Sequence, residues 1–159
     1  MTRRLESCSV PKPRWSNPKY AAAGSKMRLA NVVRASGLLV KDGGVLVQRL
    51  GREVSLPGKV VEEGQTMEMA LSEYFGEMGW MVTVGGLRYL VEELKDGDKV
   101  LHFAFEVNAL KEERPAPPFS YVSFDELEDT GARPAVLFGK LLADQHGPRR
   151  QGCTYLISW

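Results

Sequence analysis

The segment LPGKVVEEGQTMEMALSEYFGEMGW, residues 56–80, constrains the fold of this 159-residue chain more than any other. It joins a glycine-containing acidic loop to a run with apolar residues at positions 67, 70, 71, 74, 75 and 78. This spacing predicts an amphipathic helix that Thr66 can cap at its start and that Gly79 can end. Glu73 and Glu77 lie one helical turn apart, so their carboxylates project together from a second face. Such a pair can hold Mg²⁺ or Mn²⁺, or it can simply be solvated.

Strand-like segments surround this predicted helix. VVRASGLLVK and VLVQRL flank DGG at 42–44, and GLRYLVEEL and KVLHFAFEV flank KDGD, so each pair predicts a β-hairpin. WMVTV is interpreted as a further separate strand and SYVSF as another, whereas DELEDT and PAVLFGKLLADQ predict helices. Hairpins dominate over alternating β–α units. The sequence therefore predicts an α+β fold, a mixed-sheet sandwich with helices on its faces.

Three parts are expected along the chain. Residues 1–27 hold three prolines, and residues 1–26 have a net charge of +5, which predicts a flexible basic N-terminal arm. The domain itself is expected over residues 28–146. Residues 147–159 are expected to form a tail that ends in the strand-like TYLISW. Because an unpaired apolar strand invites aggregation, we expect this tail to dock on its own sheet or across a dimer interface.

Composition sets broad limits on function. Hydrophobic residues make up 43%, charged residues 26%, and the net charge of +1 favours no particular partner. The basic arm could contact nucleic acid, but a loose terminus is the commoner explanation, so nucleic acid is not expected as a partner. No apolar run approaches the ~18 residues of a membrane span. Cys8 and Cys153 form neither a disulfide framework nor a zinc site, which indicates the cytoplasm.

The segment resembles the Nudix box, G-x5-E-x7-R-E-U-x-E-E-x-G-U, where U is aliphatic. Residues 72–80, SEYFGEMGW, align with R-E-U-x-E-E-x-G-U, and the similarity extends over about residues 30–144. The resemblance implies an α/β/α sandwich. It also implies a hydrolase that uses Mg²⁺ or Mn²⁺ to cleave nucleoside diphosphates linked to another moiety.

The box, at residues 58–80, is degenerate. Ser72 stands in place of the box arginine, and Gly76 replaces the first glutamate of the E-E pair. Two registers are open for the loop half. Counting from Gly58 places Gly64 at the first glutamate position, whereas matching PGKVVEEGQT to PGGKVEEGET places Lys59 at the box glycine and a glutamine, residue 65, at the glutamate. Both registers lose this glutamate.

The resemblance nevertheless implies a set of site residues. Glu73 would be the general base or a metal ligand, Glu77 a metal ligand, and a backbone carbonyl near Gly58 or Lys59 a further ligand. Glu112 and Glu113 are candidates for the glutamate that many members add from a later loop.

Three arginines, Arg34, Arg49 and Arg52, are candidates for gripping substrate phosphates. His102 alternates with apolar neighbours, which favours a hydrogen-bonded strand histidine over a catalytic one. Two functions therefore stay open. One is a metal-dependent pyrophosphohydrolase acting on a small nucleoside diphosphate derivative. The other is a catalytically impaired module that binds a nucleotide or a protein partner. A homodimer is compatible with either.

Overall fold

The computed structural model describes residues 31–111, 114–147 and 152–158. The predicted N-terminal arm, residues 1–27, lies outside these ranges, as do Glu112 and Glu113. The domain boundaries drawn from the sequence therefore stay predictions.

The described ranges form nine β-strands, two α-helices and one short 3-10 helix. The strands are β1 (Asn31–Leu38), β2 (Val40–Lys41), β3 (Gly44–Leu50), β4 (Glu53–Ser55), β5 (Gly58–Val60), β6 (Val82–Lys95), β7 (Asp98–Ala109), β8 (Phe119–Ser123) and β9 (Thr154–Ser158). The helices are α1 (Met67–Glu77), the 3-10 helix Glu128–Thr130 and α2 (Ala135–His146). Neither α-helix has the length and apolar character that crossing a membrane requires.

The strands form two sheets. Five of them make a sheet in the order β5-β1-β7-β6-β9, in which β1–β7 and β6–β9 are parallel and the other two pairs antiparallel. In the second sheet, β3 pairs with β2 near its start, with β4 near its end and with β8 along Gly44–Gln48. The predicted mixed sheet is confirmed.

Both predicted hairpin turns are present. Asp42 and Gly43 have φ of 51° and 74°, and Asp96 and Gly97 have φ of 53° and 85°. Two successive residues with positive φ are typical of the type I′ turn, which matches the twist of a two-residue hairpin. These dipeptides therefore set the register of the β2–β3 and β6–β7 pairs.

Three local predictions were wrong. Of VVRASGLLVK, predicted to form one strand of the first hairpin, only Val40–Lys41 pairs with β3, whereas Asn31–Leu38 pairs with β5 and β7. The segments WMVTV and GLRYLVEEL, interpreted as separate strands, belong largely to one continuous strand, β6. Its pairing with β7 shifts register between Val84 and Leu87 and again between Leu87 and Tyr89, so the two glycines at 85–86 bend the strand without ending it. DELEDT forms turns and the 3-10 helix Glu128–Thr130 in place of an α-helix.

The core lies in two clusters, one beside each helix. Leu137, Phe138 and Leu141 of α2 belong to the first, and Leu71, Tyr74 and Phe75 of α1 belong to the second. Along β3, Val45 and Val47 join the α2 cluster, while Leu46 joins the α1 cluster. Since successive strand residues point to opposite faces, the strands lie between the two helices. The predicted α+β sandwich is confirmed, with α1 carrying the segment of interest.

Candidate functional site

Helix α1 fixes the direction of the two predicted site glutamates. Thr66 accepts a hydrogen bond from the backbone N–H of Met69 at 3.1 Å, which caps the helix as predicted. The opposite face buries four residues, Ala70, Leu71, Tyr74 and Phe75, and each large apolar side chain contributes about 2 kcal/mol of burial. Glu73 and Glu77 are left exposed. The helix is therefore anchored by its core face and presents both carboxylates to solvent.

The carboxylate of Glu73 already has two partners. Its Oε2 atom accepts a hydrogen bond from Lys59 Nζ, on β5, at 3.2 Å and another from Gln65 Nε2, in the loop before α1, at 2.5 Å. The bond from Lys59, followed by that from Gln65, lowers the pKa of Glu73. The bond to Glu73 in turn raises the pKa of Lys59, with Glu62 and Glu77 adding to the effect. This face of α1 thus holds an ammonium among carboxylates.

A complete set of metal-binding carboxylates is not assembled by the described residues. Within 31–111, 114–147 and 152–158, no three His, Cys, Asp or Glu side chains are grouped to hold a metal ion. Glu73 and Glu77 remain as two oxygen-donor side chains on α1. Sequence reasoning missed the pairing of Lys59 with Glu73. The acidic loop between Lys59 and Glu73 indicated that the two ends of the loop lie close together. It did not indicate which side chains would be in contact.

The loop that begins β5 is held by a buried polar network. Gly58 N–H donates to Gln48 Oε1 at 3.2 Å, the Tyr74 hydroxyl donates to the same oxygen, and Gln48 Nε2 donates to Ser55 Oγ at 3.2 Å. A Cβ at Gly58 would lie 2.1 Å from the carbonyl oxygen of Ala35, so only glycine fits there. These contacts fix Gly58 against α1 and β3.

Arg34 connects this network to a cleft. Its Nη2 atom donates to the Gly58 carbonyl at 3.2 Å, so the predicted substrate residue contacts the predicted metal-binding carbonyl. Burial lowers the pKa of Arg34, and Glu53 opposes that effect. The cleft has a volume of about 450 Å³, and its lining includes Val32, Arg34, Ser55, His102, Arg133 and Pro134.

His102 lines the same cleft and is paired with Glu93. Its Nε2 atom lies 2.8 Å from Glu93 Oε2, and both side chains are largely buried. Burial lowers the pKa of His102, although the bond to Glu93 acts against it. The hydrogen-bonded strand histidine predicted from the sequence is thus observed. Glu93 was missed, yet the β6–β7 register places it diagonally across from His102 on one face.

The remaining predicted phosphate-binding arginines lie elsewhere. Arg49, at the end of β3, and Arg52, in the turn before β4, are both exposed, and neither lines the cleft. Arg133 does line the cleft, next to Pro134 at the start of α2. Nothing in its sequence context pointed to that position.

Comparisons with known proteins place the fold. No family model and no curated protein matches the chain. A Nudix hydrolase structure from Nitrosomonas europaea is similar with a TM-score of 0.64 and 13% identity, over 80% of this chain and 78% of that one. A UDP-X diphosphatase structure is similar with a TM-score of 0.63 and 18% identity, over 87% and 73%. An ADP-ribose pyrophosphatase from Streptococcus suis gives 0.58 and 14%, over 80% and 98%.

These similarities establish the class of fold. Each covers at least 73% of both chains with a TM-score of 0.58 or more, so it extends across the sandwich and not just one hairpin. The chain therefore has the Nudix fold, as the resemblance of residues 58–80 implied.

Proposed function

We propose that this protein is a Nudix-type pyrophosphohydrolase that acts, with Mg²⁺ or Mn²⁺, on a nucleoside diphosphate linked to another moiety. The observation that carries the proposal is the arrangement on α1. Glu73 and Glu77 are exposed on a Nudix fold, and the Lys59 ammonium on Glu73 at 3.2 Å shows that positive charge is accommodated there.

The donor chemistry fits a hard divalent cation. Glu73 and Glu77 would hold it, with the Gly58 carbonyl as a third oxygen, and such ions commonly combine one or two carboxylates with substrate phosphates. When bound, the ion would neutralise charge on the phosphates and activate water. A further glutamate from the later loop, Glu112 or Glu113, is part of the same proposal.

The chain's own side chains would position and cleave the diphosphate. Arg34, which donates to the Gly58 carbonyl, would attract the phosphates, and Arg133, which lines the same cleft as Arg34, would attract the linked group. Glu73, released from Lys59, would accept the proton of a water that attacks one phosphorus. The bond from that phosphorus to the bridging oxygen would break, releasing a nucleoside monophosphate and the phosphorylated moiety. Lys59 would then be available to donate to the charged product.

A second candidate is binding without hydrolysis. It is supported by the two hydrogen bonds that Oε2 of Glu73 already accepts and by the replacement of the box arginine and glutamate by Ser72 and Gly76. In this case the cleft would bind the nucleotide derivative and leave it intact.

Turnover of a defined panel separates the two. ADP-ribose and a UDP-sugar are the first compounds to incubate with protein and Mg²⁺ or Mn²⁺, since similar structures bear those activities in their names. Products are resolved by chromatography, with Glu73→Gln as the control. Metal-dependent release of AMP or UMP that this variant loses would support the hydrolase. Saturable calorimetric binding without products would favour the second candidate.

The proposal extends to the binding partner, the cellular compartment and the oligomeric state. The partner would be a small nucleotide derivative, with no role for nucleic acid or a membrane, and the compartment would be the cytoplasm. A homodimer stays a prediction that a sizing column can test.

A further inference from the structure

Lys59 makes a contact that bears directly on metal binding. Its Nζ atom lies 3.2 Å from Glu73 Oε2, and Gln65 donates to the same oxygen. The Lys59 side chain is only 20% exposed, whereas that of Glu73 is 49% exposed. Lys59 is thus the less exposed member of the pair. Its backbone is held in β5, which pairs with β1 at Ala35.

The fold fixes the strand position from which the Lys59 side chain extends. The Gly58 N–H bond to the buried Gln48 and the close approach of Gly58 to Ala35 hold the start of β5 in place. Lys59 is the next residue and points to the α1 side of the sheet, since its pairing partner Ala35 belongs to the α1 cluster. Strand register therefore directs the Lys59 side chain toward α1, where its ammonium contacts Glu73.

An ammonium and a divalent cation compete for one carboxylate. A Mn²⁺ ion that ligates Glu73 through Oε2 competes with the Lys59 hydrogen bond, and at either carboxylate oxygen it meets the repulsion of the nearby positive charge. Hard cations depend on the number and charge of their oxygen ligands, so losing access to one carboxylate of the Glu73–Glu77 pair weakens the site strongly.

We propose that Lys59 is an internal counter-ion that occupies the cation-binding position of Glu73 and opposes the binding of a divalent cation there. In the proposed hydrolase, on which this inference builds, substrate phosphates would compete for the ammonium and so expose Glu73 to the metal. Lys59 would then be a positioning residue that couples metal binding to substrate binding.

The test measures Mn²⁺ binding without substrate, from the loss of the free-ion signal in electron paramagnetic resonance. Lys59→Met should raise Mn²⁺ affinity roughly tenfold, because one repulsive charge and one competing bond disappear together. Lys59→Arg keeps the charge and should leave affinity near that of the wild type. Adding Glu73→Gln to Lys59→Met should remove the gain.

Lys99 offers a matched control. It pairs with Glu92, which also accepts a hydrogen bond from Tyr155, so this glutamate has a lysine and a second donor as Glu73 does. Lys99→Met should not change Mn²⁺ affinity. Lys59→Gln serves as a second neutral variant if the Met variant folds poorly by circular dichroism.

The outcomes decide between two failures. Equal Mn²⁺ affinity of wild type, Lys59→Met and Lys59→Gln would overturn the proposal that Lys59 is a counter-ion. The same conclusion would follow if the higher Mn²⁺ affinity of Lys59→Met persisted after Glu73→Gln was added. Neither result depends on turnover. Absence of hydrolysis across the nucleotide panel would overturn the proposed function while the Mn²⁺ titration still reports on Lys59.

Discussion

One carboxylate oxygen of Glu73 accepts hydrogen bonds from two donors. Whether this oxygen can bind a metal ion or accept a proton depends on which of these hydrogen bonds can break. Gln65 Nε2 lies at 2.5 Å and Lys59 Nζ at 3.2 Å. Both contacts are at an exposed carboxylate, where an ion pair contributes little to stability. These contacts are therefore expected to contribute little to folding, so the proposed catalytic role of Glu73 can be tested separately from stability.

Glu73→Gln tests this directly. The variant keeps the shape and an oxygen acceptor but loses the charge, so kcat should fall by about 10²-fold or more for a general base. The melting temperature should change little. Glu92→Gln is the control, because Glu92 also has a lysine and a second hydrogen-bond donor as partners but lies on β6 and not on α1. A loss of kcat below about threefold would reject Glu73 as the base.

The individual site residues were predictable from sequence to different degrees. Helical spacing placed Glu73 and Glu77 together on the exposed face of α1, since that depends on local geometry alone. The partners of Glu73 were not predictable. Lys59 is 14 residues away and reaches it only because the loop between them folds back. Arg34 was named among three arginines, and only the β1–β5 register brings it to Gly58.

At the scale of the element, α1 contains a glycine that its backbone does not need. Nothing lies within 4 Å of a Cβ at Gly76, and its φ is not in the left-handed region. Gly76→Ala should therefore stabilise the protein by roughly 0.5–1 kcal/mol in urea denaturation, through helix propensity. Gly139→Ala in α2, where a Cβ also meets nothing, should give a similar gain. A loss of stability in the first variant alone would show a constraint specific to α1.

Gly76→Glu tests the helix register of the box. It restores a carboxylate next to Glu77, so Mn²⁺ affinity should rise, since hard cations respond to ligand number and charge. Isothermal titration measures the change, with Gly76→Ala as the control that alters the helix but adds no ligand. Unchanged affinity in Gly76→Glu would mean that the alignment of residues 72–80 with the box is wrong.

Helix α2 is tied to the five-stranded sheet by a polar contact at Asp144. The buried Tyr89 of β6 donates its hydroxyl to Asp144 Oδ2 at 2.7 Å, and Lys140 Nζ lies 2.6 Å from Oδ1. Tyr89→Phe should cost about 1.5–3 kcal/mol, the range for a hydrogen bond to a charged group. Tyr155→Phe, at the exposed contact with Glu92, should cost much less. Equal losses in urea denaturation would argue against the α2 contact.

The same contact predicts a pH dependence. Burial tends to raise the pKa of Asp144, but the bonds from Lys140 and Tyr89 prevail, so this pKa lies below that of an unfolded aspartate. Its contribution to stability is therefore complete above the unfolded pKa and is lost as the pH falls through the lower, folded pKa. Urea denaturation between about pH 7 and pH 3 should show a shallower acid loss for Asp144→Asn than for wild type. Parallel curves would contradict this assignment.

Across the whole molecule, the sequence predicted the parts that local chemistry fixes. The turn dipeptides at 42–43 and 96–97 identified both hairpin turns, because positive φ at two successive residues has few other solutions. The continuity of β6 was not predictable, since two successive glycines, Gly85 and Gly86, are equally compatible with a loop between two strands and with a bulge inside one strand. Parallel pairing of β1 with β7 also escaped prediction, because it joins segments far apart in the chain.

The end of the chain completes the sheet, which makes it the sharpest test of the whole fold. Of the two dockings expected for TYLISW, β9 adopts the one on its own sheet, pairing in parallel with Tyr89–Glu93 of β6. Leu156 packs against the α2 cluster, whereas Ile157 is exposed. Leu156→Ala should therefore cost about 2 kcal/mol, the lower end for a core leucine, and Ile157→Ala less than about 0.5 kcal/mol.

Deleting residues 153–159 extends the test from side chains to the strand. It should lower the melting temperature by several degrees, since it removes an edge strand and uncovers part of the α2 cluster. A sizing column run alongside shows whether the exposed edge of β6 then promotes association. If the deletion leaves the melting temperature unchanged and the two alanine variants are equally stable, β9 does not pack on β6 in solution. The sheet would then have four strands, with β6 at its edge.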